Sequence, residues 1–505
     1  MNLTSEQRTI LAHINDNEGV TAVSAVAGSG KTSLLIEIAK SFPKGQSLYL
    51  AYNKSIATEA SKKFPSHVSC MTTHSLAYRA IVSPSGLTVT NFINFNDAKD
   101  IKSFDYFVEI TNYIKDFCLS EYSTLASFFE TKSLTPLDKT MIEKYISKMA
   151  HGEIPCTHEA YLKFYHMSLA NGTIQYAEPF TLIMLDEAGD LNPVTLEIFK
   201  LLPANRKIMV GDPHQNIYAF NQTINGFEAM SHKVTKFPMS QSFRVASDIA
   251  KRVEKFCIKH LKEDFSFKGT DLEDKTITSR AYITRTNASL VAKMIELNRQ
   301  GIQYGLIRTP EKIFELPRML CAIKPNGTIT DKNYAHLQKE VNNWDSDAFL
   351  KKQFKSPLAY IKSVYKEDVA LQVATTLVLQ YGVKGIYDCF DEAKKHKLRT
   401  QTLTLGTAHS CKGLEFDSVT IAPDLNTVAK AAKLTANKDE LNLYYVACTR
   451  ARKELLDADE LGNAKLPKES EYRSGVSSIL VEEYQRQENA AIWAELGEIE
   501  RDGEH

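Results

Sequence analysis

The sequence has no net charge, no Cys-x-x-Cys pair, no low-complexity block and no long apolar run. Each absence excludes something. No run approaches the ~18 apolar residues needed to cross a bilayer, so no membrane span is expected. The eight cysteines are scattered (70, 118, 156, 257, 321, 389, 411 and 448). That excludes an ordinary zinc ribbon or dithiol motif and suits a reducing compartment. The opening MNLTSEQRTI has neither a basic nor an apolar stretch, so a secretory leader is not expected. No repeat of roughly 20–50 residues is present, which removes solenoids and propellers.

What is there reads as globular. The 505 residues are 43% hydrophobic and 24% charged, enough for about three or four domains. The 61 basic and 61 acidic residues balance only globally, because 13 acids and 5 bases fall from Asp457 onward. A mildly basic body with an acidic tail is compatible with a nucleic-acid partner, and equally with solvated surface charge.

Six short apolar runs read as strands: VTAVSAVAG, SLYLAY, FTLIMLDEA, KIMVGD, RAYITRTN and DSVTIAPD. They lack polar alternation, as parallel strands buried on both faces do. Helix-like stretches follow several of them, which predicts an α/β architecture with right-handed crossovers. The runs cluster in 1–80 with 180–240, and in 280–290 with 400–455. Mostly helical stretches lie between. Two α/β domains, each with a helical insertion, are expected.

AVAGSGKTSLL follows a predicted strand and opens a helix. It fits the phosphate-loop pattern G-x-x-x-x-G-K-[ST], with Ala25 in place of the first glycine. Gly28, Ser29 and Gly30 let backbone N–H groups wrap phosphates at a helix N-terminus. Lys31 reaches the β- and γ-phosphates, and Thr32 is a Mg²⁺ ligand. In LIMLDEAGD, Asp186 and Glu187 fall at a strand's C-terminal end, where α/β ligand sites lie. Asp186 is expected to hold Mg²⁺ through water, and Glu187 to polarise the attacking water.

Further motifs run in order: TSEQRTIL, AYNKSIATEA, TTHSL, VGDPHQNIYAF, SQSFR, TAHSCKGLEFDSV and NLYYVACTRA. With the phosphate loop and acid pair, they make the chain resemble the superfamily 1 DNA helicases of the UvrD/Rep/PcrA-like group, over most of residues 4–455. The wording of AYNKSIATEA and the short second insertion are similar to the F-box DNA helicase branch. The resemblance implies two RecA-like P-loop domains with parallel sheets. Domain 1A spans 1–88 and 179–240, insertion 1B 89–178, domain 2A 241–305 and 399–456, and insertion 2B 306–398. An acidic segment, 457–505, follows.

The resemblance also implies roles. Gln7 reads adenine, Phe243 stacks on it and Glu415 binds the ribose. Gln215 senses the γ-phosphate. Arg244 and Arg450 come from the second domain and neutralise charge in phosphoryl transfer. Taken alone, the two arginines would read as surface ion-pair residues and Phe243 as core. Tyr52, Asn53, Thr73, His74, Tyr218, Phe220 and His409 fall at single-strand positions, where aromatic platforms bind without reading sequence. Two departures stand out. Asn221 replaces an arginine and Gly189 replaces a glutamine, both of which help couple DNA and ATP sites in the family.

The expected activity is an ATP- and Mg²⁺-dependent DNA helicase travelling three-prime to five-prime, in replication, recombination or repair. The alternative is a DNA-stimulated ATPase that strips proteins from single strands with little unwinding. Expected partners are single-stranded DNA, single/double-strand junctions and a protein at the acidic segment. A monomer is expected, cytoplasmic in a bacterial or phage-infected cell and nuclear in a eukaryotic one.

Overall fold

A computed structural model describes residues 3–217, 223–230, 234–262, 264–329, 335–366, 368–396, 403–425 and 438–457. The chain divides into two compact units, Met1–Arg244 and Val245–His505.

The first unit is built on β1 (Gly19–Ala25), β2 (Ser47–Ala51), β3 (Val68–Thr72), β4 (Phe180–Leu185), β5 (Ala204–Gly211) and β6 (Thr235–Met239). Their spatial order is β3-β2-β4-β5-β1-β6, and every pairing is parallel. All five residues of β2 are buried, which is why these strands read as unbroken apolar runs. The register sets Leu50 beside Leu185, Ala51 beside Thr72 and Ser24 beside Gly211. The strands therefore end level, and the loops after β1, β2, β3, β4 and β5 share one edge.

One face of the sheet packs Tyr49, Leu182 and Ile208 against helices Ser5–Asp16, Lys31–Ser41 and Lys54–Lys63, through Ile10, Leu34, Ile38 and Ala60. On the other face Leu48, Leu50, Ile183 and Leu185 join one continuous core with the helical insertion. Helix Phe104–Leu119 buries Phe107, Ile110, Ile114 and Phe117, a helical spacing that lines up one face. Each such side chain contributes about 1.5–3 kcal/mol by burial. Helix Pro136–Ala150 starts with Pro in its first turn and a reciprocal Thr135–Asp138 cap.

Inside this insertion, fully buried Lys163 finishes helix Phe104–Leu119. Its Nζ donates to Ser120 O (2.8 Å) and Tyr122 O (2.7 Å), and it lies over the Phe117 ring at 4.6 Å. Burial pulls its pKa down to about 8. The adjacent buried His166 is held down to about 4, by burial first and the Lys163 cation second. An unfolded chain protonates this histidine below pH ~6.5, and the folded one only near 4. The unit therefore loses stability as pH falls through that window. His166→Gln is expected to shrink the loss between pH 7 and pH 5 in urea unfolding. An unchanged loss would move the acid sensitivity elsewhere.

Strand β7 (Gln241–Ala246) runs through the division between the units. The second unit carries β8 (Arg280–Thr284), β9 (Gly305–Leu306), β10 (Leu403–Thr407), β11 (Phe416–Ile421) and β12 (Ala451–Asp457). They lie in the order β9-β10-β8-β11-β12, all parallel. Its insertion is helical, and Leu337, Ile361, Leu371 and Phe390 share a core with Val291, Met294 and Leu405. The long helix Val369–Ala393 is two helices joined at Gly382, whose φ of +67° is left-handed. Both units are thus α/β with a parallel sheet and a helical insertion, the RecA-like arrangement expected. Among the described residues no helix is long and apolar enough to cross a membrane.

Candidate nucleotide and nucleic-acid site

The phosphate loop forms as its spacing demands. Gly28 and Gly30 both take left-handed conformations, with φ +73° and +79°. A Cβ on Gly28 would fall 2.6 Å from Arg244 Cβ and 2.8 Å from Ser242 Oγ. Ala25, where the pattern has glycine, is the last strand residue and pairs with Met239, so an ordinary extended backbone suffices there. Helix Lys31–Ser41 has no side-chain cap and no acid in its first turn. Its first N–H groups are therefore suited to an anion. Ser29 Oγ is buried without a hydrogen-bond partner among the described residues, a further donor that phosphate oxygens would satisfy.

Gln7 is buried against this loop. Its Oε1 accepts from Thr4 N (3.0 Å) and its Nε2 donates to Ser29 O (3.3 Å). The sequence TSEQ is thus both a helix cap and a tie to the phosphate loop.

Phe243 and Arg244 sit beside it. Phe243 N donates to Gly28 O at 2.9 Å, and Ser242 Oγ donates to Ala27 O at 2.8 Å. Phe243 is 49% exposed and its ring would lie 3.6 Å from a Cβ on Gly30, an open aromatic face beside the phosphate loop. The bonds from Ser242 and Phe243 lace the start of β7 onto the loop, which sets Arg244 beside Gly28.

Asp186 and Glu187 follow β4. Asp186 is buried, and its Oδ2 accepts from Tyr49 Oη at 2.6 Å. Its Oδ1 accepts from Glu187 N at 2.9 Å. Burial, then the Glu187 carboxylate, pushes the Asp186 pKa up, and the Tyr49 bond and Lys31 oppose them. Glu187 itself has φ +54°, a left-handed position that costs a non-glycine residue about 1–3 kcal/mol and clusters at functional sites.

Asp212, at the end of β5, holds the next element. Its carboxylate accepts from His214 N (3.1 Å) and from Gln215 Nε2 (2.9 Å). Gly189 explains its own departure from the family. A Cβ there would lie 2.9 Å from the Asp212 carbonyl carbon and closer still to its oxygen. Gly211 faces back the same way, with a Cβ reaching 2.6 Å from Ala188 N. The acid-pair loop and the Asp212–Gln215 turn touch backbone to backbone.

This donor set suits a nucleoside triphosphate with Mg²⁺, which takes one or two carboxylates and otherwise waters and phosphate oxygens. Thr32 and Asp186 are the residues that would hold the ion. Among the described residues no group of three His, Cys, Asp or Glu forms a dedicated metal cage.

The single-strand candidates of the first unit lie on the same sheet edge. Tyr52, 54% exposed, follows β2, and Asn53 caps the next helix by accepting from Ile56 N at 2.9 Å. Thr73 and His74 follow β3 in helix Thr73–Ala77. The His74 ring meets Tyr161 edge-on at 6.0 Å, and burial lowers its pKa, which keeps it neutral near pH 7. Exposed Tyr78 packs on the same Tyr161 at 5.9 Å. In the second unit, His409 follows β10 on helix Ala408–Cys411 and Glu415 is exposed. Arg450 is buried there, and its guanidinium donates to Val446 O (3.0 Å) and Leu414 O (3.3 Å). Tyr218, Phe220, Asn221 and the acidic segment after Asp457 lie outside the described residues. Tyr49 and Asp212 were missed as site residues. A tyrosine inside an aliphatic buried run was the available signal, since its hydroxyl requires a partner.

Fold and site together define a P-loop nucleotide-binding protein with two RecA-like units. Residues 3–235 match the UvrD/REP helicase N-terminal domain, and residues 328–456 match the viral superfamily 1 RNA helicase core domain. F-box DNA helicase protein 1 of Schizosaccharomyces pombe is 25% identical over 91% of this chain and 58% of its own length. F-box DNA helicase 1 of Gallus gallus is 25% identical over 91% of this chain and 49% of its own. The chain is thus similar to the UvrD/Rep-like helicases of superfamily 1, most extensively through its first unit. It spans about half the length of the curated relatives it matches.

Proposed function

We propose that this chain is an ATP-driven DNA helicase that translocates along single strands three-prime to five-prime. The observation that carries the reading is the shared edge of the first sheet. Gly28–Thr32, Asp186–Glu187 and Gln215 gather there with Tyr52, Asn53, Thr73 and His74. Nucleotide and strand thereby act on loops of one rigid sheet.

In the proposed mechanism Gly28, Ser29, Gly30 and Lys31 bind the triphosphate, and Gln7 and Phe243 take adenine. Mg²⁺, when held by Thr32 and Asp186, neutralises phosphate charge. Glu187 accepts the proton of the attacking water, and Gln215 orients that water. Arg244 and Arg450 offset charge on the transferring group, and Glu415 takes the ribose. ATP moves the strand-binding elements only by binding one arrangement of the two units better than another; Arg244 and Arg450 supply that difference. The division into 1A, 1B, 2A and 2B with the boundaries given above belongs to this proposal. So do a role in replication, recombination or repair, a monomeric state, a protein partner at the acidic segment and nuclear placement in a eukaryotic cell.

Matched duplexes with a three-prime or a five-prime single-stranded tail test it, with Lys31→Ala as control. Unwinding from the three-prime tail only, lost in Lys31→Ala, is expected. Unwinding from the five-prime tail alone reverses the polarity. ATPase stimulated by single strands without unwinding favours the second reading, a protein-stripping translocase, for which the departure at Asn221 and the short second insertion speak. RNA-tailed duplexes in the same assay report the substrate, because the 2′-OH separates the two.

A further inference from the structure

Strand β2 joins the two halves of the site. Tyr49 lies in its middle, fully buried, in the cluster with Ile10, Leu34 and Leu182, its ring 4.7 Å from Phe64. Its hydroxyl donates to Asp186 Oδ2 at 2.6 Å, a charge-assisted bond of the strong kind. The backbone repeats the attachment, because Asp186 N donates to Leu50 O at 3.1 Å. Asp186 is thus fixed to β2 by both main chain and side chain. The phenol is the donor of this bond, because a carboxylate only accepts. Three residues further on, the same strand delivers exposed Tyr52 and the cap residue Asn53.

We propose that Tyr49 is a positioning residue that fixes the Asp186 carboxylate for Mg²⁺ and transmits occupancy of the Tyr52–Asn53 strand position to it. The proposal rests on the reading above of a DNA-stimulated ATPase. It also gives this chain a link between DNA and ATP sites at a place where Gly189 offers no side chain. A strand is stiff along its length, so a base stacked on Tyr52 loads β2, and β2 holds the acid at two points.

The test uses the full chain and Tyr49→Phe, which keeps the ring and removes only the hydroxyl. Mg²⁺ dependence is read first by binding of a fluorescent ADP analogue, without turnover. Loss of such an outer partner weakens metal affinity by roughly 10-fold or more, so the Mg²⁺ half-saturation point is expected to rise by about that factor. ATPase is read second, with and without oligo-dT, and the stimulation factor is expected to fall further than the basal rate. A third measurement leaves the core untouched. Saturating oligo-dT is expected to lower the Mg²⁺ half-saturation point of the unsubstituted chain, and Tyr52→Ala to remove that shift. Unchanged Mg²⁺ dependence and stimulation in a folded Tyr49→Phe overturn the proposal alone. So does an absent oligo-dT effect on Mg²⁺ in an unsubstituted chain whose ATPase is stimulated. An unsubstituted chain with no single-strand stimulation overturns this proposal and the helicase reading together.

Discussion

Glu187→Gln is expected to cut single-strand-stimulated ATP hydrolysis by roughly 10²–10⁴-fold, the range a positioned general base contributes, while the nucleotide stays bound. Glutamine has the shape of glutamate and can occupy the same left-handed backbone position, but it has no carboxylate to take a proton. The neighbouring acid gains. The Glu187 charge raises the Asp186 pKa, so removing it favours the ionised Asp186 that would hold Mg²⁺. Binding of a fluorescent ATP analogue should therefore persist as turnover collapses. Lys31→Ala separates the roles, because it removes a cation from the phosphates and is expected to lose binding and hydrolysis together. Turnover near that of the unsubstituted chain in Glu187→Gln would take the base role away from this residue.

Gly189→Gln, which restores the side chain usual in the family, is expected to damage this chain. The new Cβ would press on the Asp212 carbonyl, which is backbone and cannot swing aside. Overpacking of this sort costs about 1–3 kcal/mol. Relief requires the Asp212–Gln215 turn to move away from the acid pair. Gln215, held by Asp212 Oδ2 at 2.9 Å, moves with it. A lower Tm and a lower kcat are expected, with nucleotide affinity largely kept. Gly189→Ala carries the same Cβ, so it should show most of the effect. If Gly189→Gln instead raises stimulation by single strands without loss of stability, the close approach is not what selects glycine here.

Much of the site was legible because its chemistry is local. The phosphate loop needs glycines, a lysine and a helix start in one short stretch, and Gly28, Gly30 and Lys31 fold as that stretch dictates. The acid pair was legible because an unbroken apolar run must end at a sheet edge, and Asp186 follows at once. The two helical insertions could be read because the strand-like apolar runs cluster on either side of them. The setting of Arg244 beside Gly28 was not legible, because motif order along the chain does not show what a linking strand is laced to. Two hydrogen bonds, from Ser242 Oγ and Phe243 N, decide it.

The sequence by itself determined the architecture, parallel sheets with helical insertions, and the identity of the groups offered to phosphate. Both follow from hydrophobic periodicity and from backbone geometry within a few residues. The tertiary structure alone decided which distant groups meet. Tyr49 and Asp186 are 137 positions apart and bond because β2 and β4 are neighbours in the sheet. Gly189 is required by a carbonyl on a different loop. Strand order and close packing create these contacts, and neither is encoded in the spacing of any one motif.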